Sequence, residues 1–261
     1  MESVIGLIVL FTALGGVLSV AGAGLLLVLP RTLSQSMMPG LVSFAIGTLL
    51  GAAFLALLPH AFESRELIDT HKIFATVLAG LLMFFLLEKM VLWRHCHSHE
   101  CEAHAIDMEH AHNVAAGKLI LIGDGIHNFV DGVLIAAAFL TDVHLGIVTA
   151  LAVITHEIPQ EVGDFAILLH SGFNRKRAFL YNMLSSITSV IGGIIAYVWL
   201  SEVQGILPYV LALAASSFIY IAVADLIPGL HKRIEFAATL QQAGLIAAGV
   251  ITIYLLHSTL H

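Results

Sequence analysis

Eight long apolar stretches follow one another along the 261 residues of this chain, and they constrain its fold more than any other feature. A helix needs roughly 20 apolar residues to cross the hydrocarbon core of a bilayer, and each stretch reaches or approaches that length. The stretches cover approximately residues 4–29, 40–59, 73–92, 117–140, 143–170, 178–200, 206–227 and 241–258. Apolar residues make up 59% of the chain and charged residues 11%, which excludes a soluble domain with one buried core. The sequence therefore predicts an all-α polytopic membrane protein with eight transmembrane helices.

The basic residues indicate how these helices are oriented. Nine of the eleven Lys and Arg residues fall at or beside the connections after helices one, three, five and seven, whereas Arg65 and Lys72 fall on the opposite side. Because cytoplasmic loops are enriched in Lys and Arg, we expect both termini to be extracytoplasmic. The first stretch has no basic segment before it, which favours a retained helix over a cleaved signal peptide. We expect a multi-pass protein, in the plasma (inner) membrane rather than in an organelle.

A polar tract rich in histidine interrupts the apolar pattern at residues 93–113, between the third and fourth stretches. The predicted orientation makes this tract a cytosolic loop of a single transmembrane transport domain, residues 1–261. Six histidines and two cysteines suit soft or borderline divalent metals, but their spacing matches no closed four-ligand site. The tract is therefore interpreted either as a loose metal buffer or sensor, or as a solvated linker.

Two short segments indicate an internal repeat. The sequence LLPHAFE ends the second helix at residues 57–63, and DLIPGLH ends the seventh at residues 225–231. Since these two helices cross the membrane in opposite directions, the segments would lie on opposite faces, as inverted-topology repeats require. We therefore predict that helices 1–3 and 6–8 form an inverted repeat around the central helices 4 and 5.

The fourth and fifth helices carry an unusual concentration of polar residues. Between Lys118 and Arg175 the chain contains no Lys or Arg, yet the two helices hold five acids together with histidines near their centres. An ionised side chain at the centre of a bilayer costs about 3 kcal/mol, so these acids need a compensating positive charge. The polar residues are Asp124, His127, Asn128 and Asp131 on helix four, and His156, Glu157, Gln160, Glu161 and Asp164 on helix five. The simplest source of that charge is a bound metal ion.

The spacing of these residues predicts that they face each other inside the bundle. Intervals of three and four residues project side chains from one helix face. A rise of about 1.5 Å per residue puts His127 and His156 near the bilayer midplane. Imidazole nitrogens together with carboxylate and amide oxygens form a ligand set for zinc, iron(II), manganese or cadmium. The alternative is a polar network that holds the bundle together, and Asp124, Glu161 and Asp164 are also open to a role in orienting the histidines.

The segments HNFVDG of helix four and HEIPQEVGDFAILL of helix five resemble the signature of the ZIP (Zrt/Irt-like) family of metal transporters. The chain is most similar to the branch whose fifth helix reads HExPHExGD. The resemblance implies eight spans, outward termini and a metal site, often binuclear, midway along the transport pathway. It assigns metal contacts to His127, Asn128, Asp131, His156, Glu157 and Gln160. Gln160 stands where many relatives of that branch have His and others Glu, which leaves open whether one or two metals bind.

Three other polar residues are weaker candidates for the pathway. His60 and Asp225 lie near the ends of helices two and seven, where interfacial or capping roles compete with a functional one. On helix six, Asn182 belongs to a polar stripe that either bonds neighbouring helices or lines the pathway.

The resemblance implies transport of divalent transition-metal ions toward the cytoplasm, with Zn²⁺ as the expected substrate and Fe²⁺, Mn²⁺ or Cd²⁺ as alternatives. An intramembrane metal-dependent hydrolase competes because HEIPQ looks like an HExxH zinc helix, but Gln160 replaces its second His. A membrane metal sensor without transport also stays open. We expect no enzymatic activity, no organic cofactor and no nucleic-acid partner. The expected partners are divalent metal ions and the lipid bilayer, and the sequence is compatible with a homodimer.

Overall fold

The computed structural model describes residues 2–63, 69–96, 105–231 and 235–260. Within these ranges the chain forms eight continuous helices and no β-strand, so the all-α prediction is confirmed. Their bounds, in chain order, are α1 Glu2–Val28; α2 Arg31–Gly51, which continues through a π-helical turn Ala52–Leu57 into Leu58–Glu63; α3 Thr70–Cys96; α4 Ala105–Thr141; α5 Val143–His170; α6 Arg175–Leu200; α7 Leu207–Tyr220, which follows a 3₁₀ turn Gln204–Ile206 and continues through a π-helical turn Ile221–Leu226 into Ile227–Leu230; and α8 Phe236–Leu260.

Seven of the eight helices in the described ranges are long and apolar enough to cross a membrane. The remaining one is α5, whose apolar character is lowered by the polar residues of the predicted metal site. This helix packs against α1, α2, α4 and α6, so protein rather than lipid encloses its polar residues. Helices α3 and α8 leave most of their apolar surface uncovered, as expected at the lipid-facing periphery.

The polar tract at residues 93–113 is more helical than predicted. Helix α3 continues through Cys96 and α4 begins at Ala105, which leaves residues 97–104 outside the described ranges. At 37 residues, α4 is about 55 Å long, so it extends well beyond a hydrocarbon core about 30 Å thick. The extension follows from its composition, because AIDMEHAHNVAAGK contains several strong helix formers and lacks proline.

The packing partners of the helices agree with the predicted inverted repeat. Helix α2 packs against α8, and α7 packs against α3. Likewise α1 packs against α5, and α6 packs against α4, while α4 contacts α5 and α1 contacts α6. If α1–α3 are exchanged with α6–α8, and α4 with α5, this pattern of partners is unchanged. The two central helices therefore lie between two equivalent groups of three.

The π-helical turns fall at equivalent positions of the repeat. In α2 the turn ends at Leu57, two residues before Pro59, and in α7 it ends at Leu226, two residues before Pro228. A proline inside a helix removes an N–H donor and crowds the preceding turn, and a wider turn accommodates it without ending the helix. The predicted similarity of LLPHAFE and DLIPGLH thus corresponds to a shared backbone feature.

Small residues bring the paired helices into close contact. Gly47 of α2 packs against the backbone of Ile246 and Gly249 of α8, and a Cβ atom at Gly47 would collide with it. At the equivalent interface, Gly80 of α3 packs directly against Ser216 of α7. Helices in lipid gain stability from such close packing, because burial of apolar surface between them gives little advantage over contact with lipid.

Candidate metal centre

A short connection between α4 and α5 determines at which depth along the two helices the predicted motifs lie. Asp142 is the sole residue between the helices, and its Oδ1 accepts hydrogen bonds from the backbone N–H groups of His144 (2.8 Å) and Leu145 (3.0 Å). This contact caps the start of α5. His127 lies fifteen residues before Asp142 and His156 fourteen after it, so the antiparallel helices place both imidazoles at the same depth.

Four side chains from the two motifs converge on one point between α4 and α5. The Nε2 atom of His127 lies 3.6 Å from Oδ2 of Asp131 and 3.4 Å from Oε1 of Glu157. The Nε2 atom of His156 lies 3.3 Å from the same Asp131 oxygen and 3.8 Å from the same Glu157 oxygen. Ligands at about 2.0–2.1 Å from a tetrahedral zinc ion are about 3.4 Å apart, which matches these separations. We call this group the four-ligand centre.

Three of the four ligands are almost completely enclosed. The side chains of Asp131 and His156 are each 1% exposed and that of Glu157 is 3% exposed, whereas that of His127 is 23% exposed. His127 is therefore the side of the four-ligand centre through which an ion can reach it.

A hydrogen bond fixes the orientation of the buried imidazole. Nδ1 of His156 lies 3.0 Å from the backbone carbonyl of Ala152, one turn earlier in α5. Because a carbonyl oxygen accepts, Nδ1 must donate, and the lone pair of the neutral ring is then on Nε2 and directed at the four-ligand centre. Thr155, the preceding residue, shares a hydroxyl hydrogen bond of 2.6 Å with Thr48 and so ties this part of α5 to α2.

The two acids of the four-ligand centre have no hydrogen-bond donor in the part of the chain that the structure describes. Both carboxylate oxygens of Asp131 and both of Glu157 are buried and accept no hydrogen bond among the described residues. Buried carboxylates are normally paired or hydrogen-bonded, since an unpaired charge in a low-dielectric interior is costly. The donor set of two imidazole nitrogens and two carboxylate oxygens fits a divalent transition-metal ion, which would satisfy these oxygens.

A second group of acids adjoins the four-ligand centre through Glu157. Carboxylate oxygens of Asp124, Glu157 and Glu161 lie within 4.8 Å of one another, and all three side chains are buried. We call this group the three-carboxylate cluster. Asn128 donates from Nδ2 to Oδ1 of Asp124 (2.9 Å) and to its backbone carbonyl (3.2 Å), which leaves the amide oxygen of Asn128 as its remaining ligand atom.

The remaining predicted site residues lie outside both groups. Gln160 and Asp164 are half-buried on α5, and Asn128 is buried on α4, so the metal contacts of Asn128 and Gln160 stay predictions. Asn182 of α6 lies against Glu161, to whose backbone carbonyl its Nδ2 donates at 3.4 Å. Asp225 is exposed in the π-helical turn of α7.

His60 forms a separate contact at the end of α2. It is 6% exposed, its Nδ1 lies 2.9 Å from the backbone carbonyl of Ala56, and its ring centroid lies 5.4 Å from that of His257 on α8. The structure does not bring His60 to the four-ligand centre.

Sequence reasoning did not identify two features of this region. The contact between Thr48 and Thr155 carries no sequence signal beyond two small polar residues in apolar helices. The second feature is that Glu157 lies close to Glu161 as well as to the histidines. The sequence does indicate this, because Glu157 and Glu161 are four residues apart and therefore project from the same face of α5.

A bundle of helices long and apolar enough to cross a membrane, around a buried nitrogen and oxygen ligand set, defines a polytopic membrane protein with a candidate site for a divalent metal ion. The chain belongs to the ZIP zinc transporter family, whose family model matches residues 3–118 and 93–257. It is 34% identical over 227 residues to the zinc transporter ZIP13 of Pongo abelii, covering 82% of this chain and 65% of that protein. It is 32% identical over 248 residues to ZIP13 of Mus musculus, covering 83% and 69%. The human zinc transporter ZIP10 is 38% identical over 140 residues, which cover 52% of this chain and 17% of ZIP10.

The chain thus spans about two thirds of the length of the ZIP13 relatives and a much smaller part of ZIP10. The predicted family resemblance is confirmed. Since the matched family consists of transporters, the similarity of HEIPQ to a hydrolase motif does not indicate an enzyme.

Proposed function

We propose that this protein transports Zn²⁺ across a membrane toward the cytosol by way of the four-ligand centre. The observation that carries the proposal is the convergence of two imidazole nitrogens with two buried carboxylates that accept no hydrogen bond from any described residue. Membership of a zinc transporter family supports the same conclusion.

The charge of the four-ligand centre suits a divalent ion. Two ionised carboxylates balance the two charges of the metal, and two neutral imidazoles add ligands without adding charge. The loaded centre is then neutral, which removes most of the cost of charge inside a membrane protein. Imidazole nitrogens favour zinc, and to varying extents Fe²⁺, Mn²⁺ and Cd²⁺, over Ca²⁺ and Mg²⁺, which prefer oxygen ligands.

We include Asn128 and Gln160 as additional oxygen ligands. Asn128 follows His127 directly, and Gln160 lies one helical turn after His156, so each is a neighbour of a residue of the four-ligand centre. As the ion passes His127, it would lose part of its water shell, and the amide oxygens of Asn128 and Gln160 would replace those waters. The ion could then enter and leave the four-ligand centre without an abrupt loss of ligands.

The distribution of basic residues supports the direction of transport. Arg175, Lys176 and Arg177 form the first turn of α6, directly after the short connection from α5, and they mark this end of the two helices as cytosolic by the positive-inside rule. With that orientation both termini are extracytoplasmic, and we propose the plasma (inner) membrane as the location.

Zinc uptake into proteoliposomes tests the proposal directly. Vesicles that contain the purified protein and a zinc-sensitive dye should fill faster than protein-free vesicles after addition of external zinc. A protein that acts as a sensor would bind zinc with the same ligands but would not increase the flux. Binding without uptake would therefore contradict transport and favour the sensor.

A further inference from the structure

A groove between α4 and α6 opens on the surface of the bundle. Its walls are isoleucines, since Ile122 and Ile126 of α4 are 60% and 56% exposed and Ile191 of α6 is 47% exposed. The groove has a volume of about 390 Å³, and none of its lining residues belongs to the four-ligand centre or to the three-carboxylate cluster. We call it the α4–α6 groove, and it is lined by Leu121, Ile122, Gly125, Ile126 and Phe129 of α4 and by Thr188 and Ile191 of α6.

Small residues form the floor of the α4–α6 groove. Gly125 has no side chain, and a Cβ atom there would meet only the methyl group of Thr188, at 3.8 Å. One turn further along both helices the backbones touch, because Gly192 of α6 packs against the backbone carbonyl of Phe129. The groove is therefore shallow enough to be open to the bilayer and is bounded at one end by close helix contact.

The α4–α6 groove suits a hydrocarbon chain better than a polar ligand. Thr188 has the only polar side chain among the lining residues. Its hydroxyl is directed at the backbone carbonyls of Gly125 and Ser185, at 2.6 Å from each. An occupant thus finds no free side-chain donor, whereas an apolar chain gains van der Waals contact with both walls.

The helix faces that border the groove both lead to a basic residue. On α6, the exposed Arg177 precedes Thr188 by eleven residues, which is close to three full turns, and the exposed Leu184 lies between them. On α4, Lys118 precedes Gly125 by seven residues, which is close to two full turns. Because α4 and α6 run in the same direction, these two residues mark the same end of the bundle.

The distance along α6 fits one leaflet of a bilayer. Arg177 lies about 16 Å from Thr188 along the helix axis, and half of a hydrocarbon core about 30 Å thick is about 15 Å. A headgroup beside Arg177 would therefore lie at the membrane surface while its acyl chain reaches the floor of the groove. Arg175 and Lys176 are exposed in the same turn and add positive charge at this level.

We propose that the α4–α6 groove binds an anionic phospholipid, with one acyl chain in the groove and the phosphate beside Arg177. A guanidinium group binds phosphate through paired hydrogen bonds, and basic pockets between membrane helices are suited to anionic headgroups. Zwitterionic lipids have the same acyl chains but carry no net charge for this basic end to attract. The orientation proposed above places the lipid in the cytosolic leaflet, and binding of the lipid itself does not depend on transport.

Native mass spectrometry of the purified, delipidated protein tests the charge requirement. The protein in detergent is titrated with phosphatidylglycerol or with phosphatidylcholine that carries the same acyl chains. We expect one phosphatidylglycerol per chain to bind with roughly 10-fold or higher affinity than phosphatidylcholine. Arg177→Gln should weaken phosphatidylglycerol binding roughly fivefold and leave phosphatidylcholine binding unchanged. Lys89→Gln removes an exposed basic residue of α3 and serves as the matched control, with parental binding of both lipids.

A side chain added to the floor tests the requirement for the groove. Gly125→Leu puts a branched side chain where the acyl chain would lie, and it should weaken phosphatidylglycerol binding roughly 10-fold or more. Gly123→Leu adds the same side chain to the same helix, at a position where nothing lies within 4 Å of the new Cβ atom, and should bind the lipid like the parent.

Photo-crosslinking locates the lipid in the parent protein without any substitution. Phosphatidylglycerol with a photoreactive group in its acyl chain should label peptides that contain residues 121–129 or 184–191. Equal affinity for the two lipids, unchanged binding in both Arg177→Gln and Gly125→Leu, or labelling confined to other helices would overturn the proposal. A cross-link between two copies of the chain through this groove would overturn it as well, because the occupant would then be a protein.

Discussion

The Nε2 atoms of His127 and His156 lie 3.4 Å apart and face each other across the interface between α4 and α5. Since Nδ1 of His156 donates to Ala152, the lone pair of the neutral His156 ring faces its neighbour. Two nitrogens in this relationship, with a carboxylate oxygen of Asp131 within 3.6 Å of each, form three corners of a tetrahedron of the size that zinc requires.

The imidazoles should therefore be essential for zinc binding. We expect His127→Ala and His156→Ala each to weaken zinc binding by roughly 100-fold or more, because each removes a direct ligand, and to abolish uptake into proteoliposomes. His170→Ala changes an exposed histidine at the end of α5, the helix that also carries His156, and serves as the matched control. Calorimetric titration measures the affinity. Parental binding and uptake in both site variants would show that these histidines are structural.

Zinc affinity should fall as pH decreases. Metal binding displaces protons from imidazole and carboxyl groups, so protons compete with zinc for the same atoms. We expect the decrease between about pH 8 and about pH 5.5 to be steeper than a single histidine would give. Glu157→Gln keeps the shape of the side chain but removes one titrating ligand, and it should flatten this dependence. Competition titrations with a chelating dye measure it, and a flat profile in the parent protein would contradict the assignment of ligands.

The contact between α4 and α6 should depend on a single glycine. Gly132 packs directly against the backbone carbonyl of Ser189, so Gly132→Ala forces the helices apart. We expect a loss of about 1–3 kcal/mol in the free energy of unfolding, as for overpacked cores. Gly123→Ala, on the same helix, places its Cβ where nothing lies within 4 Å and should be neutral or slightly stabilising. Thermal unfolding in detergent compares the two, and equal melting temperatures would show that the interface tolerates the added methyl group.

The histidine tract should affect regulation rather than transport. Its spacing does not provide a closed site, and it follows the exit in the proposed orientation. We expect replacement of its six histidines by glutamine to leave the initial rate of zinc uptake within about twofold of the parent, and to change how uptake responds to zinc inside the vesicles. Loss of uptake in a correctly inserted variant would place the tract on the pathway instead.

The sequence predicted the helices well because the bilayer imposes a simple length and polarity requirement on each of them. The prediction from sequence was less successful where the helix propensity of a segment outweighed its polarity. The tract that begins at Trp93 is polar enough to predict a loop, yet helix-forming residues extend α4 back to Ala105. The two π-helical turns could not be predicted either, although Pro59 and Pro228 indicate where each helix must adapt.

The candidate site was likewise predictable from the sequence only in part. Helical spacing identified every member of the four-ligand centre, because residues three and four apart must share a face. Spacing alone could not show that Glu157 belongs to two groups, since that depends on how α4 packs against α5. Only the fold shows that Asn182 lies against Glu161, because these residues are joined by tertiary packing and not by a local pattern.

The exchangeable packing of α1–α3 and α6–α8 has an energetic consequence. If the two groups of three adopt each other's positions relative to α4 and α5, the same set of helix interfaces is formed again, now with access from the opposite face of the membrane. Because both arrangements use the same helix pairs, the difference in free energy between them is reduced to what the differing side chains of the two groups contribute. Gly47 and Gly80 bring the paired helices into close contact at both equivalent interfaces, so each group depends on the same kind of small-residue packing. One sequence can in this way encode two nearly degenerate states, and an ion bound on α4 and α5 needs only a small preference to select between them.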